Sequence, residues 1–219
     1  MDRNLLVFFL CCIQFFSCKK TSHKKLNSNV TIIQPIITQS DIGDEPSKIN
    51  LSNRLVNRAY SKLDLDFHYL EPIYFNNTNA RDGKINLDSI VSIAREEKIL
   101  KGQDDIINMF FVNAIDGNKG PTGRGMINGN LVFITLGDES KYQEFEKEYV
   151  EAFVVAHEIG HNLGLKHAID DPNVNDSLPN IQADGDFKDR IDPKFSLNRY
   201  QMEQIKKSPL FHSRINFLS

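Results

Sequence analysis

The stretch His157-Glu158-Ile159-Gly160-His161, followed by Gly164 and His167, constrains this chain more than any other part of it. His157 and His161 are four residues apart, so a helix through them places both imidazoles on one face, one turn apart. Glu158 comes beside the first of them, where it can reach a water at a metal without being a ligand. Gly164 can take positive φ and end the helix. The chain can then turn back and bring His167 in as a third ligand. Three protein ligands leave a fourth position open for water, the arrangement of a catalytic rather than a structural zinc site. The preceding residues suit a helix. Tyr142, Phe145, Tyr149, Ala152, Phe153, Ala156 and Gly160 repeat at three- and four-residue steps as one apolar or small face, with Gln143, Glu144, Lys147, Glu148 and Glu151 opposite.

The chain has 219 residues, 40% hydrophobic and 25% charged, enough for one domain with a real core. Its net charge of −3 gives no footprint for nucleic-acid binding. The domain is expected to act as a monomer.

The first residues read as a leader. Arg3 precedes an apolar run from Leu5 to Phe16, too short to span a bilayer as a mature helix. The run ends at Phe15-Phe16-Ser17-Cys18, which resembles a bacterial lipoprotein signal cleaved before an acylated Cys18; plain secretion with another cleavage point and an uncleaved anchor are the alternatives. On the first reading, residues 1–17 are signal peptide, 18–28 a Lys-, Ser- and Asn-rich tether, and 29–219 a single catalytic domain in the cell envelope, held to a membrane by its lipid. Cys11, Cys12 and Cys18 all lie in this region, so the domain has no disulfide and no thiolate ligand.

Val30 to Ile37 is β-branched and apolar, a first strand that Pro35 suggests lies at an edge or a strand end. A helix carries Leu51, Leu55, Ala59 and Leu63. Leu65 to Phe75 alternates as one half-buried strand on which His68 faces solvent. Asn86 caps a second helix with Leu87, Ile90, Val91 and Ala94 inward. Asp105 to Val112 is a central strand. Residues Asp116 to Asn130, with five Gly and a Pro, read as an extended loop in which Gly123-Arg124-Gly125 is turn chemistry, with an anion nest as the alternative. A short strand spans Asn130 to Leu136, and the metal helix spans Lys141 to Leu163. An irregular tail follows, ending in a helix capped by Ser196, with Leu197, Tyr200 and Ile205 on one side. The expected fold is α+β: a mixed twisted sheet covered by helices, with the metal helix at the base of a cleft that the tail closes from below.

The extended motif and this order of elements resemble the metzincin clan of zinc endopeptidases. The run Ile106 to Val112, the Gly-rich loop and the strand before the metal helix most resemble its pappalysin-like branch. The resemblance implies one catalytic Zn2+ bound by His157, His161 and His167, with Glu158 as general base in peptide-bond hydrolysis. It also implies that Asn130, Leu131, Val132, Phe133 and Ile134 form the edge strand that a peptide or protein substrate joins. Some metzincins add a Tyr near the metal; Tyr200 is a candidate, with a core position as the plainer reading. Metzincins also place a Met in a tight turn under the zinc. The counterpart here, Pro179-Asn180-Ile181-Gln182, offers Gln182. Either Gln182 builds the floor, or Met202 reaches it from the last helix. That departure keeps a second function in view, a non-catalytic zinc-binding surface lipoprotein that holds a partner; hydrolysis of a non-peptide amide is a third. Asp170, Asp171, Asp176, Asp184, Asp186, Asp189 and Asp192 supply oxygens that calcium could use, but without EF-hand spacing they read more simply as a solvated acidic loop.

Overall fold

A computed structural model of the chain describes residues 29–49, 52–102, 104–120, 122–136, 144–174, 180–183 and 197–213. The leader and tether at 1–28 lie outside them, as do Ser196 and the aspartates at 176, 184, 186, 189 and 192. Among the described residues no helix is long and apolar enough to cross a membrane.

The fold is a mixed sheet with helices on both faces. β1 (Asn29–Gln39) is central. On one side it pairs in parallel with β2 (Leu65–Tyr69) and then β3 (Ile73–Asn76). On the other it pairs in parallel with β4 (Ile106–Phe111), and β4 pairs in parallel with β6 (Leu131–Thr135). β5 (Thr122–Gly125) runs antiparallel to β6 and ends the sheet, in the order β2-β1-β4-β6-β5. The short β7 (His212–Ser213) joins the start of β1.

Side-chain alternation divides the core between the two faces. Ile107, Met109 and Phe111 of β4 and Val132 and Ile134 of β6 meet α1 (Asn53–Ala59), α4 (Glu144–Asn162) and α5 (Arg199–Ile205). Phe110 and Phe133 point the other way and stack at 4.8 Å in a second core, under α2 (Thr78–Arg81) and α3 (Leu87–Glu96). Asn86 caps α3, its side chain accepting from Ser89 N at 2.8 Å.

Four expectations are corrected. Pro35 lies mid-strand in the central β1, not at an edge. The carbonyls of Ile33 and Gln39 accept from Leu70 and Asn77, so the odd positions of β1 face β2 and β3. Pro35 shares that phase, and its missing N–H falls where β2 has ended and β3 has not begun. The same gap splits the expected single strand from Leu65 to Phe75. Gln34 fills it with its side chain, donating Nε2 to Glu71 O at 2.8 Å and Pro35 O at 2.9 Å. Part of the expected Gly-rich loop is strand β5. The last helix is capped by Asn198, in a reciprocal box with Gln201.

α4 is buried on nearly all sides from Val150 to its end at Asn162, Glu151 included, rather than on one stripe. The sheet, with its end strand β5, covers one flank, α1 another, and the turn around Ile181 lies beneath.

Candidate metal centre

α4 carries His157 and His161 one turn apart, and their Nε2 atoms face each other at 3.1 Å. Both Nδ1 atoms are taken by carbonyls, His157 by Ile181 O and His161 by Leu165 O, each at 2.8 Å. Carbonyls only accept, so Nδ1 carries the proton in each ring and Nε2 is left with its lone pair. The helix then stops. Gly164 adopts φ +95°, and Leu165 N donates to Gly160 O at 2.9 Å. A side chain at Gly164 would also strike Asn128, whose own N–H donates to His161 O. The reversal brings the His167 ring to 5.2 Å from His157 and 4.7 Å from His161, centroid to centroid.

The three histidines each offer a nitrogen, all within 4.8 Å of one another. Among the described residues they form the one such group able to hold a metal. Two nitrogens of a tetrahedral zinc, at bonds of roughly 2.0–2.1 Å, stand about 3.4 Å apart. The 3.1 Å separation of His157 and His161 fits that edge, and their Nδ1–H···O=C bonds are the outer contacts a zinc imidazole usually makes. The donor set fits zinc. The third ring is held more loosely, half-exposed and with Asp170 3.8 Å from its Nδ1.

Glu158 sits against the edge strand. Its Oε2 accepts from Gly125 N. A Cβ on Gly123 would come within 2.3 Å of Glu158 Cγ, and one on Gly125 within 2.5 Å of Glu158 O. Those glycines are what let the strand and the helix meet. Asn162, fully buried, donates Nδ2 to the carbonyls of Met126, Gly129 and Leu131, tying the β5–β6 hairpin to the end of the metal helix. Sequence reasoning missed both contacts. The available signal was the one-residue spacing of the glycines, which suits a strand approached closely by another backbone. A cleft of about 230 Å³ opens between β5 and the metal segment, lined by Gly123, Arg124, Gly125, Glu158, His161 and His167.

Burial pushes the Glu158 carboxyl up from 4.5 to about 7 in the metal-free chain, against the Gly125 N–H and the Arg124 charge, which pull it down. Burial also lowers the His161 pKa, keeping that imidazole neutral, partly offset by its bond to Leu165; the nearby His167 adds to the lowering. The Glu158 shift sets a stability prediction for metal-free protein. Below pH 4.5 the carboxyl is protonated folded or unfolded, and Glu158→Gln changes little. Between 4.5 and about 7 the unfolded chain ionises first, so wild type loses stability relative to the variant. Above 7 the variant is the more stable by at most about 3 kcal/mol. Urea unfolding in chelator at pH 4.5 and pH 8 measures this; an equal gap at both would refute it.

The expected edge strand is not one. Leu131, Val132, Phe133 and Ile134 lie between β4 and β5 and are buried. Asn130 and Leu131 line a separate cleft with Arg95 and Lys98. The edge belongs to β5. Tyr200 is neither a core residue nor part of the metal cleft: it is partly exposed on α5. His68 is exposed on β2. Gln182, not Met202, builds the floor. It is fully buried and donates Nε2 to His157 O at 2.7 Å, whereas Met202 packs at the margin of the first core.

A mixed α+β fold with three histidines and a glutamate on a helix and its following turn defines the metzincin-like class of metallopeptidases. The family model for Metallo-peptidase family M12B Reprolysin-like matches residues 47–168, and the chain belongs to that family. Among solved structures it is similar to an archaemetzincin from Methanopyrus kandleri, at 14% identity over 81% of this chain and 94% of that one, TM-score 0.48. A zinc-dependent peptidase from Methanocorpusculum labreanum matches at 16% identity over 79% and 99%, TM-score 0.48. Metalloproteinase-II from Bacteroides fragilis matches at 13% over 82% and 53%, TM-score 0.44. No curated protein sequence matches the chain.

Proposed function

We propose that this chain is a zinc-dependent endopeptidase with Glu158 as its general base. The observation that carries the reading is the convergence of three imidazoles, two of them with Nδ1 bonded away, beside a buried carboxylate at an open cleft. When bound, zinc supplies a Lewis acid for the carbonyl and lowers the pKa of water to about 7. The chain supplies the rest. Glu158, steadied by Gly125 N–H, takes a proton from the attacking water and passes it to the leaving amine. Among the described residues no strand lies beyond β5, and of its outer backbone groups Gly125 N–H is already given to Glu158, so an extended substrate would join the rest of that edge. A peptide aligning along Thr122–Gly125 gains main-chain hydrogen bonds and passes the carboxylate.

A pappalysin-like branch rests on the run Ile106 to Val112 and its setting alone, whereas the family model that matches is the reprolysin-like one, which is the branch favoured here. Export and acylation at Cys18 are part of the same proposal, supported by the leader sequence; mass spectrometry of the membrane fraction tests them. For the activity, the domain from Lys19 to Ser219 is incubated with a peptide library, with and without chelator. Chelator-sensitive internal cleavage is the expected result. Bound zinc without cleavage would favour a surface protein that uses the fold to hold a partner.

A further inference from the structure

We infer that Gln182 is a positioning residue of the metal centre, an amide that ties the helix carrying two ligands to the turn carrying the third. The inference rests on the three-histidine zinc reading. Three bonds converge on residues 181 and 182. His157 Nδ1 donates to Ile181 O at 2.8 Å. Gln182 Nε2 donates to His157 O at 2.7 Å. Ala168 N, next in the chain to His167, donates to Gln182 O at 2.8 Å. The first ligand is thus held at its ring and at its backbone, and the third through its neighbour, by two consecutive residues.

The amide has one possible orientation. His157 O is an acceptor only, so the nitrogen of Gln182 must face it. The turn itself is fixed from behind. Gln182 N donates to Asn180 Oδ1 at 2.8 Å, and Asn180 and Gln201 of α5 exchange two hydrogen bonds of 2.8 and 2.9 Å. A continuous set of side-chain amides therefore runs from the last helix to the metal helix.

Gln182 also accounts for Gly160. That residue is helical, and glycine is among the poorest helix formers, so its place between two ligands needs a cause. A Cβ there would lie 2.1 Å from Gln182 Nε2 and 3.1 Å from Tyr60 Oη. Tyr60 in turn donates to Ala156 O at 2.6 Å and cannot give way freely. Helix and amide leave no room for a methyl group.

Gln182→Met keeps length and burial but loses the donor. Zinc affinity is measured by competition with a chromogenic chelator, and ligand geometry by the visible spectrum of the cobalt-substituted protein. The expected result is a metal-free melting temperature near that of wild type, zinc affinity weaker by about 10- to 100-fold, and an altered cobalt band. Zinc affinity within twofold of wild type, with an unchanged cobalt spectrum, overturns the inference. If Gln182→Met fails to fold, Gly160→Ala and the double variant Gly160→Ala/Gln182→Ala decide. The single variant should melt lower, and the double should regain the melting temperature while zinc binding stays weak. Equal melting of single and double overturns the inference. A wild-type chain that binds no zinc overturns the metal reading and this inference together.

Discussion

Glu158→Gln should lower turnover on any peptide the wild type cleaves by about 10³-fold, leaving one zinc bound per chain. Glutamine has the same shape and still offers an oxygen to Gly125 N–H, so β5 has no reason to move. What it lacks is a basic oxygen to take a proton from water. Zinc content should not change, because the proposed ligands are the three histidines and not Glu158. The magnitude separates this role from a structural one. Loss of a packing contact at the cleft would change substrate binding and melting behaviour together. Loss of the base lowers kcat with KM nearly constant, and metal-free protein at pH 8 becomes more stable, since a buried charge has been removed. Steady-state kinetics with metal analysis on one preparation gives both readings. Undiminished cleavage, or cleavage reduced only in step with lost zinc, removes Glu158 from the mechanism.

The metal helix was the most legible part of the chain because its chemistry and its geometry coincide. A four-residue spacing is at once a helical face and a pair of ligands, and Gly164 marks the stop that lets His167 return. Asn86 before an apolar stripe and the continuous run Ile106 to Val112 were equally direct. The run from Leu131 to Leu136 held a signal of its own. Its apolar residues are consecutive, not alternating, which marks a strand buried on both faces and hence interior. The family resemblance drew it to the edge instead.

What stayed hidden depends on contacts between distant parts of the chain. Residues 122–125 are a strand with glycine at alternate positions, because Glu158 occupies the space where those two side chains would be. Local composition there matches a loop, and only the arriving helix explains it. Pro35 sits in a central strand because two short strands share one edge of that strand and leave a gap at that position. Gln182 looked like a weakness when judged against an expected Met. In place it meets the carbonyl of His157, a group no local pattern could have supplied.

His161→Ala should abolish zinc binding under conditions where His167→Ala only weakens it. The two differ in how they are held. His161 is 5% exposed, and its Nδ1 donates to Leu165 O, while Leu165 N closes the end of α4 on Gly160 O. Its ring is fixed by the helix and by the turn that ends it. The His167 side chain is 37% exposed, with an exposed Asp170 carboxylate 3.8 Å from its Nδ1. A ligand already ordered and held neutral by burial costs least to bring to the metal, so its removal costs most. Wild type in zinc at a thousand times its Kd should gain about 4 kcal/mol of stability over chelated protein. His167→Ala should keep part of that gain, and His161→Ala none. Melting curves of the three proteins in zinc and in chelator measure the ordering. The reverse order would mean that the exposed ring, not the buried one, anchors the ion, and would return the assignment of ligands to experiment.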